Sequence, residues 1–163
     1  MMVSMKCSAC LLLIVFTVIQ SGAGEGTCVA SIGGACPPTW IQWGARCYKV
    51  TTSQSHTWHE AKQACLAMRG VMVVPHSDEE TEFLEDLQPQ IWINCNDLET
   101  EGVWVCQEGT TKVDYRNWDS REPNKKGDEH CAVIKRCGEW TDVPCTEQYP
   151  TVCTRPISPA LHL

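Results

Sequence analysis

The sequence is poor in basic residues. Its 163 residues include 13 Lys and Arg against 20 Asp and Glu, which gives a formal net charge of −7 at pH 7. Proteins that bind nucleic acid or anionic membranes present Lys/Arg patches, so this deficit argues against both kinds of partner. No second hydrophobic segment follows the one at the N-terminus, and we therefore expect no membrane span in the mature protein.

Motifs of common enzymes are also missing. There is no G-x-S-x-G, and the segment H-E-A-K-Q that begins at His59 lacks the second His of H-E-x-x-H. Outside the first 23 residues there is no C-x-x-C pair, so a cysteine-bound zinc site is not indicated. We therefore predict a protein without enzymatic activity.

The N-terminus has the pattern of a secretory signal peptide. Lys6 precedes the apolar run 11–19, and the small residues S-G-A-G follow it. The run is too short to span a bilayer. We expect residues 1–23 to be removed, which would leave about 140 residues, enough for one domain, in a secreted protein. Without Lys6, twelve basic residues face twenty acidic ones.

Cysteine is abundant. The chain has 12 cysteines, and Cys7 and Cys10 would leave with the signal peptide. In an oxidising compartment the remaining even set predicts up to five disulfides.

Two stretches carry helical patterns. Apolar residues recur at helical spacing over 57–69, and Gly70 follows where a helix C-terminus favours glycine. Farther on, Ser77 and Glu80 form a capping-box pair at the start of a second helix. The acids of 78–86 are most simply a solvated helix face. The apolar face of the second helix is formed by Phe83, Leu84 and Leu87.

Beyond Pro89 the pattern changes to strands. The segments 91–95, 102–106 and 131–135 are rich in β-branched and aromatic residues, and T-V-C at 151–153 closes the domain. Helices followed by strands, without an alternating repeat, predict an α+β fold. We expect Trp92, Trp104 and Trp140 to lie in its core.

An ordered series of motifs over 36–153 resembles the C-type lectin-like domain of the long form. The matching segments are C-P-P-T-W…C-Y, W-H-E-A-K-Q-A-C, I-W-I-N-C-N-D-L-E-T-E-G-V-W, Y-R-N-W, E-P-N, C-A-V-I, G-E-W-T-D-V-P-C and T-V-C. The resemblance implies two helices packed on short antiparallel sheets, with a long calcium-binding loop and disulfide staples. We place this domain at 36–155, between an N-terminal tail, 24–35, and a C-terminal tail, 156–163.

The resemblance also implies three disulfides: Cys36 with Cys47, Cys65 with Cys153, and Cys131 with Cys145. The family pattern does not explain Cys28, Cys95, Cys106 and Cys137, and four cysteines allow three pairings. One alternative is a Cys95–Cys106 bridge across a local hairpin. Cys28 could then pair with Cys137 or with another chain, which leaves a covalent homo-oligomer open.

The stretch R-E-P-N-K-K-G-D-E-H-C, 121–131, carries the predicted calcium site. A hard cation such as Ca²⁺ takes six to eight oxygen ligands. On the resemblance, Glu122, Asn124, Glu129 and Asp142 match the calcium ligands, and the proline between the first two is cis in sugar-binding members. We expect these four residues to contact a sugar as well.

The main departure from the family pattern is Thr141. The usual W-N-D places an Asn there, which binds calcium and donates a hydrogen bond to the sugar. Thr141 has a shorter, neutral hydroxyl, and the lost charge-assisted hydrogen bond would cost on the order of 1.5–3 kcal/mol. We expect calcium binding to persist in weakened form, with Thr141 beside the carbohydrate.

A second, auxiliary calcium site of some relatives is matched only in part, by Asp97 and Glu101. Where that site has further acids, this chain has Lys125 and His130. A Lys ammonium is repelled by calcium. We expect the auxiliary site to be absent or poor, and Asp97 and Glu101 to be turn and surface residues.

The order E-P-N, as opposed to Q-P-D, goes in the family with mannose, fucose or N-acetylglucosamine. The sequence therefore predicts a secreted, calcium-dependent lectin for cell-surface or microbial glycans, acting in recognition or innate immunity. The alternative is a protein-binding or ice-binding relative without sugar activity, which Thr141 favours.

Overall fold

The computed structural model of the chain describes residues 34–51, 55–124 and 127–158. The predicted signal peptide, Cys28, Lys125 and the end of the C-terminal tail lie outside these ranges. In the part of the chain described, neither helix is both long and apolar enough to cross a bilayer.

Helix α1 spans Trp58–Ala67 and is capped at both ends. The Thr57 hydroxyl accepts the Glu60 N–H, and the Glu60 carboxylate accepts the Thr57 N–H at 2.9 Å. This capping box was not among the predictions, although T-x-x-E is visible in the sequence. At the other end Arg69 has φ = +58°, and the Gly70 N–H donates to the Cys65 carbonyl. An arginine thus occupies the left-handed position where glycine is usual.

Helix α2 spans Asp78–Leu87, and the Ser77 hydroxyl accepts the Glu80 N–H at 3.2 Å. This is one half of the predicted capping box, because the Glu80 carboxylate accepts the N–H of His76, one residue before the N-cap. The expectation that all its acids are solvated is wrong for Glu80, which is only 2% exposed. Its carboxylate accepts hydrogen bonds from the Tyr48 hydroxyl at 2.6 Å and from the His76 N–H at 2.9 Å. Glu80 lies one helical turn before the buried Leu84, which places it on the core side.

The strands form two sheets whose neighbouring members are antiparallel. The first sheet has the order β1 (Ile41–Trp43), β2 (Arg46–Val50), β9 (Val152–Pro156) and β3 (Val71–Met72). The second has the order β6 (Thr111–Lys112), β5 (Val105–Glu108), β4 (Ile91–Asn96), β7 (Cys131–Ile134) and β8 (Trp140–Val143). A 3₁₀ turn, Arg136–Gly138, lies between β7 and β8. The predicted α+β class and the lectin-like arrangement are confirmed.

A row of tryptophans leads from the core to the long loop. Trp92 and Trp140 are fully buried, as predicted, whereas Trp104 is only half-buried. The Trp104 and Trp118 rings lie 4.7 Å apart, and the Trp118 and Trp140 rings 5.6 Å apart. This packing holds the loop that follows Trp118 against β8.

The disulfides staple the sheets and helices together. Those described are Cys36–Cys47, Cys65–Cys153, Cys95–Cys106 and Cys131–Cys145. Three of them are the pairs that the resemblance implies. The fourth joins β4 to β5, where Cys95 and Cys106 are opposite each other in the strand register. Cys137 is disulfide-bonded as well.

Candidate functional site

The long loop between β6 and β7 lies beside β8 and brings three of the four predicted ligands together. Glu122 and Asn124 flank Pro123 on this loop, and the Glu122–Pro123 peptide bond is cis. Asp142 lies on β8, paired in register with Ala132 of β7. The strand therefore holds the Asp142 carboxylate at a fixed place next to the loop.

Three of the four predicted calcium ligands are in direct contact. The Asn124 N–H donates to Asp142 Oδ2 at 3.1 Å. The Asn124 side-chain amide donates to Glu122 Oε2 at 2.6 Å. Asn124 therefore bridges the Asp142 and Glu122 carboxyl groups, and these two groups are close enough for Glu122 to raise the pKa of Asp142. Residues that are eighteen positions apart in sequence thus share one cluster of oxygens.

This cluster concentrates negative charge in a partly desolvated place. Asp142 is only 3% exposed, and burial raises the pKa of its carboxyl to about 6. The neighbouring Glu122 carboxyl is part of the cause of this rise. Two carboxylates this close favour either a shared proton or a cation between them.

Glu129, the fourth predicted ligand, lies at the end of the same loop. Its Oε2 atom is buried and accepts no hydrogen bond from the residues that the structure describes. A buried carboxylate oxygen without a partner costs about 1–3 kcal/mol or more. Within the described residues Glu129 makes no hydrogen bond to Glu122, Asn124 or Asp142, so it is near the cluster in sequence without being part of its network.

The donor set fits a calcium ion. It consists of three carboxylates and one amide, all hard oxygen ligands of the kind that Ca²⁺ prefers. The paired carboxyls of Glu122 and Asp142 and the orphaned oxygen of Glu129 are each groups that a divalent cation would satisfy. Asp128 is exposed and takes no part in the network described.

Thr141, the predicted sugar contact, is largely buried at 8% exposure. Its hydroxyl donates to the main-chain carbonyl of Asp142 at 3.4 Å. The hydroxyl proton is thus directed toward the backbone beside the cluster. A role for Thr141 in sugar binding stays a prediction.

A second cluster is formed by Asp97, Glu101 and His130, whose potential ligand atoms lie within 4.8 Å of one another. The expectation that Asp97 is a surface residue is wrong, because it is 3% exposed. Its Oδ2 accepts the Gly102 N–H at 2.7 Å, so it does shape the turn. The other oxygen lies 3.0 Å from His130 Nδ1, and that nitrogen is 3.4 Å from Glu101 Oε2.

The place of His130 between two carboxylates was not predicted. The sequence signal is weak, because His130 is thirty-three positions from Asp97 and the two meet only through the pairing of β4 with β7. The prediction concerning Lys125 falls on a residue outside the described ranges.

Comparison with known proteins places these features in a family. The family model "Lectin C-type domain" matches residues 54–155. "C-type lectin domain family 4 member M" of Symphalangus syndactylus is 35% identical over 130 residues, which cover 76% of this chain and 30% of that protein. The chain thus spans about a third of the length of this curated relative.

Two solved structures share the fold. The C-type carbohydrate-recognition domain of cow CD23, crystallised in the presence of GlcNAc2Man3 oligosaccharide, has a TM-score of 0.69 and 32% identity, covering 77% of this chain and 98% of that one. A calcium-independent type II antifreeze protein has the same TM-score with 28% identity, covering 76% and 95%. The scaffold therefore occurs both in a carbohydrate-recognition domain and in an ice-related protein.

Proposed function

This chain belongs to the C-type lectin domain family, and we propose that it is a secreted lectin that binds mannose-type sugars in a calcium-dependent manner. Family membership indicates a carbohydrate-binding domain and not an enzyme. The sugar class, the dependence on calcium and the secretion are our proposal for this member.

One observation carries the proposal: Glu122, Asn124 and Asp142 form a single hydrogen-bonded cluster. Proteins rarely keep two carboxyl groups in contact at a partly buried place without a cation or a proton. The orphaned Oε2 of Glu129 supplies a further acceptor at the same loop. These groups are what a calcium ion and the hydroxyls of a sugar would need.

The chain's own residues would orient the sugar. Glu122 offers carboxylate acceptors, while Asn124 can both accept and donate. The order of acid and amide fixes which side of the site donates to a sugar hydroxyl and which side accepts. Bound calcium would supply the positive charge that holds the four ligand side chains together and receives sugar hydroxyls. The order E-P-N supports mannose, fucose or N-acetylglucosamine.

A direct test is retention of the full-length protein on mannose resin and on a glycan array, with Ca²⁺ and with EDTA. We expect binding in Ca²⁺ and release in EDTA. The double variant Glu122→Gln with Asn124→Asp should shift preference toward galactose. Failure to bind any glycan at any calcium concentration would overturn the proposal.

A second candidate function is protein or ice binding without sugar activity. Thr141 favours it, because this buried residue stands where the family has a ligand Asn. The likeness to a calcium-independent antifreeze protein also supports it. Thermal hysteresis measured in EDTA separates the two, since a lectin would show none.

We also propose binding partners and an oligomeric state for this lectin. One shallow calcium site should bind a monosaccharide weakly, so useful affinity for glycan surfaces would require several sites presented together. We propose a homo-oligomer, covalent or not, that recognises glycans on cell or microbial surfaces. Sedimentation in solution and mobility on non-reducing gels test the oligomer.

A further inference from the structure

A pocket lies where the first sheet meets the turn between β5 and β6. It has a volume of about 350 Å³ and shares no residue with the candidate calcium site. Its walls come from β2, the end of α1, the β5–β6 turn and β9. These elements are distant in sequence and are held together by the pairing of β9 with β2 and β3.

The charge of this pocket is opposite to that of the molecule. Arg46, Arg69 and Arg155 all line it, which are three of the six arginines in a chain of net charge −7. Such a concentration of guanidinium groups in an acidic protein favours an anionic ligand, because Arg offers a planar fork of donors that matches oxyanions.

Two of these arginines form no ion pair with an acid in the part of the chain that the structure describes. Arg46 forms an ion pair with Glu108. Within the described residues no carboxylate lies within ion-pair distance of Arg69 or Arg155. The Arg155 guanidinium lies 5.7 Å from the centre of the Trp40 ring, which orients it without neutralising it. The pocket therefore keeps a net positive charge.

A buried hydroxyl in the same wall also has no partner. Thr154 is 0% exposed, lines the pocket, and its Oγ1 makes no hydrogen bond. Buried polar groups in folded proteins are nearly always hydrogen-bonded, and an exception calls for a ligand or water. Thr154 is one of the residues of the pocket wall, and so is Glu108, whose Oε1 is also buried without a hydrogen-bond partner among the described residues.

Helix capping does not account for all the charged and unpaired groups of this pocket. A cation at the end of α1 interacts favourably with the helix dipole, which gives Arg69 a structural role. Yet Arg69 has φ = +58°, where glycine is favoured and an arginine side chain is strained. Neither the dipole nor the ion pair of Arg46 explains Arg155 or the unsatisfied Thr154.

We propose that this pocket binds an oxyanion, the sulfate or phosphate group of an anionic ligand, between the guanidinium groups of Arg69 and Arg155 and beside the Thr154 hydroxyl. Glu108 also lines the pocket and would repel an anion. Its charge is offset by Arg46, and burial raises the pKa of its carboxyl. The site is independent of calcium and of the proposed lectin activity.

The test is a calorimetric titration of the full-length protein with sodium sulfate in EDTA. Sodium chloride keeps the ionic strength constant. We expect saturable sulfate binding that Arg69→Gly weakens about tenfold, the loss of one charge-assisted contact. Glycine suits the left-handed backbone at this position, so the variant should keep its fold. Arg136→Ala is the matched control, because it removes one exposed arginine outside the pocket.

Thr154→Val gives a second readout. Valine preserves the shape and removes the orphaned hydroxyl, so the melting temperature without sulfate should be unchanged or higher while sulfate affinity falls severalfold. Binding no stronger than that of chloride, or equal losses in Arg69→Gly and Arg136→Ala, would overturn the proposal.

A further titration with galactose 6-sulfate and with glucose 6-phosphate distinguishes the sources of the anion. Tighter binding of either ester than of the inorganic anion assigns the pocket to an anionic saccharide. Equal binding assigns it to the free anion. Both results support the site, and each predicts the same loss in Arg69→Gly.

Discussion

The loop region holds two clusters of acidic side chains that differ in what sits between the carboxylates. In the E-P-N cluster, Asn124 bridges the carboxyls of Glu122 and Asp142, and burial together with the nearby Glu122 carboxyl raises the pKa of Asp142 to about 6. In the second cluster an imidazole, that of His130, lies between Asp97 and Glu101. In the first cluster the described donors to the carboxyls are the backbone and side-chain amides of Asn124, whereas in the second a ring nitrogen lies between the two carboxylates.

This difference teaches that acidic side chains in lectin-like loops are not equivalent. A ligand set for calcium needs carboxylates that the protein itself leaves unsatisfied, as with Glu129. Where a side-chain nitrogen and a backbone N–H already occupy both oxygens of Asp97, the same residue types hold the loop together instead. The following experiments test that contrast.

The largest expected effect is on the E-P-N cluster. Asp142→Asn keeps an acceptor for the Asn124 N–H and removes the buried charge, so we expect calcium affinity to fall on the order of 100-fold and sugar binding to be lost. Calorimetric titration with Ca²⁺ measures it. Asp128→Asn, an exposed neighbour in the loop, is the matched control. A calcium affinity within threefold of the parent protein would contradict the assignment.

Substitution of Asp97 should lower the stability of the fold and leave calcium affinity nearly unchanged. Asp97→Ala leaves the Gly102 N–H and His130 without their partner, which should lower the free energy of unfolding by about 1–3 kcal/mol. Calcium affinity at the E-P-N cluster should change less than threefold. Chemical denaturation in EDTA measures the first quantity. Glu101→Gln, at an exposed residue, should cost less than about 0.5 kcal/mol; equal effects of the two changes would refute the contrast.

Acid should weaken calcium binding through Asp142. Its folded pKa is about 6, above the ordinary value of 3.8, so the proton must leave before a cation binds. Calcium affinity should fall roughly tenfold between pH 7 and pH 5, one unit below that pKa. Without calcium, in EDTA, the folding stability should change with pH in the opposite direction and decrease as pH rises. The stabilising contribution of the raised pKa is fully present below pH 3.8 and is lost as pH rises through 6.

Melting temperatures in EDTA and calcium titrations across that range check both signs. Asp142→Asn should remove the part of each profile between pH 4 and pH 6. A calcium affinity that is independent of pH over this range would show that Asp142 is not a ligand.

The smallest expected effect comes from Thr141→Asn, which restores the family's usual side chain. An amide oxygen is a better calcium ligand than a neutral hydroxyl, and we expect a gain of roughly fivefold in calcium affinity, about 1 kcal/mol. The buried position limits the gain, since a larger side chain must fit there. Thr141→Val is the control. No gain from Asn over Val would show that this position does not face the cation.

Local patterns predicted the elements that depend on local physics. Helical spacing placed both helices within two residues of their observed ends, because amphipathic periodicity and N-caps act within one or two turns. The motif series predicted the fold class, and the six cysteines it matched are paired as the resemblance implied. The Cys95–Cys106 bridge could be named only as one alternative, since pairing depends on strand register.

Local patterns failed where burial was decided across elements. Glu80 stands among surface acids in the sequence, yet the Tyr48 hydroxyl of β2 donates a hydrogen bond to its buried carboxylate. Asp97 follows a strand and resembles a turn residue, yet β7 brings His130 against it. In both cases the partner is more than thirty residues away or on another element, and spacing carries no information about such contacts.

By itself the sequence determined the α+β class, the two capped helices and the identity of the acids that match calcium ligands, because these follow from residue type, periodicity and motif order. Only the tertiary structure decided which acids share a cluster. Strand pairing and loop closure put Glu122 against Asp142, put His130 between Asp97 and Glu101, and gathered Arg46, Arg69 and Arg155 around one cavity. Charges act over a few ångströms, and those distances arise from the packing of segments that are far apart in the chain.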